Sequence, residues 1–271
     1  ELPQVLMTDY VTDPEFERQV LDGAAEIACL DAHGEAGVLG HVGRARVIIC
    51  FHDAQITRAV LEEARQCVGV VRSGVGFNNI DIRAAGEMGI VVCNVPDYGT
   101  EEVADHALGL LLALARRIVP AVDSIRRGEW NVAINVETPR LRGQTVGIIG
   151  AGRIGTAFAI RAKTLGMRVV IYDPYVPRGH EKAIAVDRAW TLDELLPQCQ
   201  FLSLHCPLTD ETRNIVDAHR LAQLPRGAYV VNTARGGLIN ENALLAALDS
   251  GQVAWAALDV LEREPLADER L

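Results

Sequence analysis

The stretch Val146-Gly147-Ile148-Ile149-Gly150-Ala151-Gly152-Arg153-Ile154-Gly155 joins a short apolar strand to the GxGxxG spacing of a dinucleotide-binding turn. Gly150 would allow a tight turn, Gly152 a close approach of backbone amides to a pyrophosphate, and Gly155 close packing of the next helix. The N-terminus of that helix favours phosphate. The stretch therefore predicts a nucleotide site at the end of a parallel strand. The alternative is that the glycines serve strand-to-helix packing alone.

The residues after the turn complete a βαβ unit. Residues 156–165 have the pattern of a helix that Gly166 closes, and residues 168–172 are typical of the next strand. Asp173 ends that strand, where a carboxylate can bind both ribose hydroxyls and would repel a 2′-phosphate. This favours NAD over NADP. FAD proteins and methyltransferases use related turns, but their motifs usually differ in position or in the spacing of the third glycine.

Length and composition predict an acidic globular protein with more than one domain. Of the 271 residues, 49% are apolar, which is enough for a large core and suggests two domains, with one domain as the alternative. The net charge of −10 and the pI of about 5.2 argue against direct contact with nucleic acid. No metal site is expected.

The apolar runs and the cysteines predict a soluble, cytoplasmic protein with no membrane contact. The longest apolar run, residues 107–115, has charges on both sides and is too short to cross a bilayer. The cysteines lie mostly in or beside apolar strand-like runs, without a CxxC pair or a signal peptide, so they are expected to be reduced core thiols. They are Cys29, Cys50, Cys67, Cys93, Cys199 and Cys206.

Upstream of the glycine turn, β-rich runs alternate with helical ones and predict a small parallel α/β domain. From Thr100 to Arg117, helical spacing with acid at the start and base at the end predicts one long helix. The breaker cluster at residues 96–99 marks the expected domain crossing. The β-rich runs are residues 5–8, 26–30, 47–50, 68–71 and 90–93.

Downstream of Asp173, the pattern predicts three more strands, at residues 201–205, 229–232 and 254–258. A capping box is expected at Thr191 and Glu194, and Asn240 is expected to cap a helix that Gly251 closes. Ligands of a doubly wound sheet bind beyond the carboxyl ends of its strands. The residues expected to converge there are Asp173, 205–207, 233–237 and Asp259.

Six segments form an ordered set of motifs: Arg72-Ser73-Gly74-Val75-Gly76-Phe77-Asn78-Asn79-Ile80-Asp81, Val103-Ala104-Asp105, the glycine turn, His205-Cys206-Pro207-Leu208-Thr209, Asn232-Thr233-Ala234-Arg235-Gly236-Gly237 and Asp259-Val260-Leu261-Glu262-Arg263-Glu264-Pro265. Together they resemble the D-isomer-specific 2-hydroxyacid dehydrogenases, a family that includes phosphoglycerate dehydrogenase, formate dehydrogenase and the C-terminal-binding-protein corepressors. The likeness covers nearly the whole chain. Residues 80–96 most resemble the corepressor and related bacterial branch.

The resemblance implies an α/β protein with a Rossmann-type doubly wound parallel sheet for NAD in residues 99–271. A smaller flavodoxin-like α/β substrate domain is implied in residues 1–98. The implied activity is an NAD-dependent interconversion of a D-2-hydroxy acid and its 2-oxo acid by hydride transfer, in a homodimer formed through the cofactor domain. The alternative is an NAD(H)-binding corepressor-like scaffold or sensor without significant turnover. A bare nucleotide-binding domain is the third possibility.

The same resemblance implies roles for single residues. The Arg235 guanidinium would bind the carboxylate and carbonyl oxygens of the substrate, and the amides of Gly74, Val75 and Gly76 would hold the other carboxylate edge. Glu264 would pair with a catalytic histidine. His205 lies in the cofactor loop and is expected to be structural rather than a proton donor. The implied cofactor residues are Thr100, Gly150, Gly152, Arg153, Ile154, Gly155, Asp173, His205, Cys206, Pro207, Thr212, Thr233, Ala234 and Asp259.

The sequence departs from the family at the proton donor and at one acid. The family's acid/base histidine follows the Glu-Pro element by some twenty residues, and none of the seven histidines lies there. The chain is therefore expected to turn over poorly. Because it begins at Glu1 without methionine and stops at Leu271 in a polar, acidic stretch, it is expected to be a fragment at both ends that lacks the C-terminal return onto the first domain. Asp105 stands where the family has the longer glutamate. The histidines are His33, His41, His52, His106, His180, His205 and His219.

Overall fold

The structure, a computed structural model, describes residues 2–135 and 138–264. The chain divides into two compact units, Glu1–Gly99 and Thr100–Leu271, directly after the breaker cluster at residues 96–99. Pro265 of the last motif and the outer limits of both predicted domains, at residues 1 and 271, lie outside the described residues.

The first unit contains a five-stranded sheet in the order β2-β1-β3-β4-β5, and every neighbouring pair is parallel. This is the flavodoxin-like order expected for the smaller domain. All five predicted strands are present, with bounds shifted by one or two residues. The strands are β1 Gln4–Met7, β2 Glu26–Cys29, β3 Ala45–Cys50, β4 Gly69–Arg72 and β5 Val91–Asn94, and the helices are α1 Glu15–Val20, α2 Arg58–Glu63 and α3 Ile82–Glu87.

The second unit contains a six-stranded sheet in the order β11-β10-β9-β6-β7-β8, again parallel throughout. This is the Rossmann order, and it reverses at β6, the strand that leads into the glycine turn. The strands are β6 Thr145–Ile149, β7 Arg168–Tyr172, β8 Asp187–Arg188, β9 Phe201–Leu204, β10 Ala228–Asn232 and β11 Val253–Leu258. The helices are α4 Thr100–Ala115, α5 Ile118–Arg126, α6 Arg153–Thr164, α7 His180–Ala183, α8 Leu192–Leu195, α9 Ala218–Gln223 and α10 Glu241–Asp249.

Apolar side chains cover both faces of the second sheet. Phe158 of α6 and Leu111 of α4 are fully buried on one face, and Leu195 and Leu244 on the other. Burial on both faces explains why the strands are nearly continuous apolar runs. In the first unit, a separate core forms around Ile48 of β3.

Helix ends differ most from the sequence-based expectation. The helix after the glycine turn begins at Arg153, not at residue 156, because Gly152 is its N-cap. The long helix ends at Ala115, and Arg117 adopts φ +51° before a second helix, α5, which the sequence analysis missed. The capping box is half formed: the Thr191 side chain accepts the Glu194 amide, but the Glu194 carboxylate accepts the amide of Trp190.

All six cysteines are free, and most are buried as expected. Burial raises the pKa of Cys50, Cys199 and Cys206 to about 12, so these thiols are protonated at neutral pH. Cys93 is the exception to the prediction of core thiols, since it is exposed on β5. Among the described helices, none has both the length and the apolar character needed to cross a membrane.

Candidate functional site

The glycine turn between β6 and α6 combines two tightly packed glycines with one that faces open space. Gly150 has φ +94°, and a Cβ there would lie 2.6 Å from the amide nitrogen of Cys206. A Cβ on Gly155 would overlap the carbonyl oxygen of Gly150, whereas one on Gly152 would have no neighbouring atom of the described chain within 4 Å. The first and third glycines are therefore required by the turn itself. Gly152 leaves room for another molecule beside the helix N-terminus.

Asp173 connects the glycine turn to the loop after β7. Its Oδ2 accepts the amide of Ala151 at 2.8 Å, and its Oδ1 accepts the amides of Tyr175 at 2.8 Å and Val176 at 3.2 Å. Three hydrogen bonds to backbone amides fix the carboxylate at the carboxyl end of the sheet. Oδ2 accepts one of these bonds and therefore keeps acceptor capacity for a ligand hydroxyl.

A cavity of about 540 Å³ opens beside Asp173. It lies where the strand order reverses, between the ends of β6, β7 and β9, which is the usual ligand position in such sheets. Five of the residues predicted to contact the cofactor line it. They are Gly150, Asp173, Cys206, Pro207 and Thr212.

His205 follows β9 and packs inside the second unit. Its Nε2 lies 2.9 Å from the Ser203 hydroxyl, and its ring centroid lies 4.9 Å from that of Phe158, with the two rings tilted by 39°. The residue is partly accessible, but Nδ1 is buried and has no hydrogen-bond partner among the described residues. Burial lowers the pKa of His205 to about 3, so the ring is neutral at physiological pH and is not positioned as an acid.

The loop after β10 holds Arg235 in a defined place. Asn232 is buried at the end of β10, and its side chain accepts the Ala234 amide at 3.0 Å and donates to the Arg235 carbonyl at 2.9 Å. The partly buried Arg235 donates from Nη1 to the Ala234 carbonyl at 2.6 Å. Asn232 therefore positions the loop. This role of Asn232 was not predicted from the sequence, although a polar residue inside an apolar strand is a usable signal.

Gly236, which follows Arg235, packs against the backbone of residues 261–262, near the end of the described chain. A Cβ on Gly236 would overlap the backbone of Leu261, so only glycine allows this approach. Glu264 is exposed on the same segment, and its Oε1 accepts the Leu261 amide at 2.9 Å. Arg235 and Glu264 thus belong to two backbone segments that are packed directly on each other.

Asp259, at the end of β11, has a partner that sequence reasoning missed. Its Oδ1 lies 3.2 Å from Nε2 of His106 on α4, and both side chains are about half exposed. Its amide donates to the Asn232 carbonyl at 3.0 Å, which connects the ends of β10 and β11. Asp105, which stands where the family has a glutamate, accepts a hydrogen bond from Arg161 of α6.

The predicted substrate loop lies in the first unit, after β4. The Gly74 amide was predicted to bind the substrate carboxylate. In the structure it donates to the Arg72 carbonyl at 2.8 Å. A Cβ on Gly74 would overlap the guanidinium of Arg72, a buried side chain whose Nε has no partner among the described residues. The Asn94 side chain donates to the Val75 carbonyl at 2.7 Å. The loop is therefore closely packed around Arg72.

The residues present fit a bound dinucleotide. Hydroxyls of Thr100 and Thr233 and Nδ1 of His205 are buried without a hydrogen-bond partner in the described part of the chain. All three belong to the predicted cofactor set, and buried polar atoms normally have partners. No three His, Cys, Asp or Glu side chains within residues 2–135 and 138–264 could together hold a metal ion.

Comparisons with known proteins agree with this geometry. Residues 108–271 match the family model described as D-isomer specific 2-hydroxyacid dehydrogenase, NAD binding domain. The chain is 40% identical over 263 residues to D-3-phosphoglycerate dehydrogenase of Methanocaldococcus jannaschii, covering 96% of this chain and 50% of that protein. It is 39% identical over 255 residues to C-terminal-binding protein 1 of Caenorhabditis elegans, covering 92% of this chain and 35% of that protein. The chain thus spans half or less of the length of these two relatives.

A solved structure shows a similar fold with the cofactor present. D-lactate dehydrogenase from Aquifex aeolicus, complexed with NAD and lactic acid, superposes with a TM-score of 0.89 at 28% identity. The alignment covers 98% of this chain and 82% of that one. NAD is the cofactor of the matched domain.

Proposed function

Because the chain belongs to the D-isomer-specific 2-hydroxyacid dehydrogenase family, we propose that it serves the interconversion of a D-2-hydroxy acid and its 2-oxo acid. The observation that carries this proposal is the placement of Arg235. It is a partly buried cation in a loop clamped by Asn232, at the same sheet edge as the glycine turn. A cation fixed beside a nicotinamide domain suits a carboxylate substrate.

The second unit would hold NAD along the carboxyl ends of its strands. We assign the pyrophosphate to the amides at Gly152, Arg153 and Ile154, and the adenosine ribose to Asp173. The unpartnered hydroxyl of Thr233 and the carboxylate of Asp259 are assigned to the nicotinamide end. When bound, NAD would accept the hydride during oxidation of the 2-hydroxy acid, and NADH would donate it during reduction of the 2-oxo acid. Thr100, Gly150, Gly155, His205, Cys206, Pro207, Thr212 and Ala234 complete the proposed set.

Arg235 would both bind and polarise the substrate. Its planar guanidinium can donate in parallel to a carboxylate oxygen and the 2-oxo oxygen, and its charge stabilises the negative charge that develops on that oxygen during reduction. The amides of Val75 and Gly76 are proposed for the other carboxylate edge. The substrate itself is proposed only by class, as a small 2-oxo or 2-hydroxy acid.

The proton transfer is assigned to none of the seven histidines of this chain. Glu264 is proposed to pair with the acid/base imidazole and to favour its protonated form. Sequencing the coding DNA beyond the codon for Leu271 tests this proposal. A histidine codon about twenty positions after Glu264 would support it, as the family resemblance implies, and its absence would contradict it.

Replacement of Arg235 tests the proposed function. Arg235→Ala, measured in the complete gene product, is expected to abolish NADH oxidation with glyoxylate, pyruvate or hydroxypyruvate while NADH affinity stays nearly unchanged. Arg44→Ala, an exposed arginine of the first unit, is the matched control. Parallel loss of turnover and of NADH affinity in Arg235→Ala would overturn the assigned role.

A second candidate function is favoured by the 39% identity to C-terminal-binding protein 1. In this alternative, the protein binds NAD(H) and acts as a scaffold or sensor. NADH binding without turnover of any tested 2-oxo acid, together with capture of a defined peptide partner, would support it.

We also propose that the protein forms a homodimer through the cofactor unit. The observation behind this proposal is an apolar stripe on α5. Ile118, Val119, Val122 and Ile125 are between 41% and 60% exposed and are spaced so that they share one helix face. Such a face is typical of a surface covered in an assembly.

A further inference from the structure

The cavity beside Asp173 is acidic on more than one side. Three carboxylate residues line it, Asp173 at the end of β7 and Asp210 and Glu211 in the loop after β9. Arg220 is the one cationic residue in its lining, and its Nη1 already donates to the Ile215 carbonyl at 2.9 Å. The lining therefore carries excess negative charge beyond the single aspartate expected from the sequence.

Tyr175 connects two of these carboxylates. Its amide donates to Oδ1 of Asp173 at 2.8 Å, and its hydroxyl donates to Oε2 of Glu211. Tyr175 also lines the cavity and is 76% exposed. Tyr175 is thus hydrogen-bonded to two acids that belong to different loops and that both line the cavity.

The loop that carries Glu211 is itself held in place. The Thr212 hydroxyl donates to the Pro207 carbonyl at 2.6 Å, and the Thr209 amide donates to the Thr212 hydroxyl at 2.7 Å. These bonds close a compact turn immediately beside Glu211. The Tyr175 hydroxyl keeps its proton at neutral pH and can donate to Glu211, and the hydrogen bond to Glu211 raises the pKa of Tyr175 further above its ordinary value.

We propose that Glu211, held by Tyr175, is a second determinant of dinucleotide choice that acts with Asp173 to exclude a 2′-phosphate. This inference rests on the proposed placement of the adenosine ribose at Asp173. A ribose hydroxyl can donate to a carboxylate, whereas a 2′-phosphate carries about two negative charges that each nearby carboxylate repels. Glu211 acts on selectivity and makes no contact with the reacting atoms.

The experiment measures dissociation constants of NADH and NADPH by fluorescence titration for wild type, Glu211→Gln and Tyr175→Phe. Glu211→Gln is expected to strengthen NADPH binding by about three- to ten-fold, because one repulsive charge is removed at a partly screened site. NADH binding should change by less than about two-fold. Tyr175→Phe releases the carboxylate without removing it, so a smaller gain in NADPH affinity is expected.

Two controls define the outcome. Glu62→Gln removes the same charge from an exposed position in the first unit and should change neither constant. Asp173→Asn is the positive control for selectivity. If NADH binds normally but the NADPH to NADH ratio of Glu211→Gln matches that of Glu62→Gln, this inference is overturned and the proposed function stands. If wild type binds neither dinucleotide, both fail.

Discussion

At the scale of single residues, the three glycines of the nucleotide turn have different surroundings. Gly150 and Gly155 are packed against Cys206 and against each other, so any side chain there meets backbone. Gly152 has φ −70° and ψ −158°, which other residues also adopt, and its Cβ position is open. The GxGxxG pattern alone does not distinguish these positions.

Substitution by alanine should distinguish a glycine required for packing, Gly155, from one required for ligand access, Gly152. Gly155→Ala is expected to lower the free energy of unfolding by about 1–3 kcal/mol through overpacking. Gly152→Ala should lower the free energy of unfolding by less than about 1 kcal/mol, since alanine is a poorer N-cap, but weaken NADH binding by about ten-fold or more, because a methyl group would keep the pyrophosphate from the backbone. Urea denaturation and NADH titration of both variants measure this. Normal NADH affinity in Gly152→Ala would contradict the placement of the pyrophosphate.

His205 makes stability depend on pH. Its pKa is about 3 in the folded protein and near 6.5 when unfolded, so the unfolded chain binds more protons between these values. Stability from the neutral ring is therefore complete above about pH 6.5 and is lost as pH falls toward 3.

We expect His205→Asn to remove much of this dependence. Between pH 7 and pH 5 the wild-type ring should cost at most about 2 kcal/mol of unfolding free energy, which the variant would not lose. Urea unfolding at both pH values gives the comparison. His219→Asn, an exposed histidine, is the control. An identical loss in wild type and His205→Asn would show that the ring is solvated in the folded protein.

At the scale of elements, the two-residue strand β8 determines the shape of the loop that carries Asp173. Arg188 of β8 is 5% exposed, and its Nη2 donates to the carbonyls of Asp173 at 2.7 Å and Val176 at 3.1 Å. Its Nη1 donates to the Pro177 carbonyl at 3.1 Å, and its guanidinium lies 4.4 Å from the Trp190 ring. One side chain thus satisfies three carbonyls of the loop.

Arg188→Met should release this loop. The lost hydrogen bonds are expected to reduce the free energy of unfolding by about 1–3 kcal/mol and to weaken NADH binding, because Asp173 is no longer held. Arg178→Met is the matched control, since Arg178 also lies over Trp190 but is exposed. NADH titration and urea unfolding measure both effects. Equal NADH affinity in the two variants would argue against a positioning role for Arg188.

Elements with strong local patterns were predicted well, and those without were missed. The predicted and observed bounds of β7 are identical, because an apolar run between Gly166 and Asp173 has only one position for the strand. The break between α4 and α5 was not predicted, since it depends on Arg117 in the left-handed region, a conformation that arginine rarely adopts. Strand β8 is too short to show a period and exists through its pairing with β7.

At the scale of the whole molecule, each unit has its own core and its own parallel sheet. The second unit leaves the α5 stripe exposed, although its other long helices, α4 and α6, bury their apolar faces. An apolar face of this kind on a folded unit is usually covered by a partner surface.

Charged substitutions in the stripe should disrupt the proposed homodimer. Val122→Asp with Ile125→Asp is expected to weaken self-association by about 100-fold, because charges would replace two of the four apolar side chains of the stripe. Size-exclusion chromatography with light scattering gives the mass. Arg126→Ala, next to the stripe, is the control. A monomeric wild type would contradict the proposed assembly.

The sequence by itself determined the parallel α/β class, most strand positions, the glycine turn and the aspartate after β7. Each of these depends on neighbouring residues, whose side-chain period and backbone preferences are local. Only the tertiary structure decided that β9 and β10 follow β6 in the sheet, that Gly236 admits Leu261, and that Tyr175 connects Asp173 with Glu211. These contacts join segments far apart in the chain. Their occurrence depends on the strand order that buries both faces of the sheet, which no local pattern encodes.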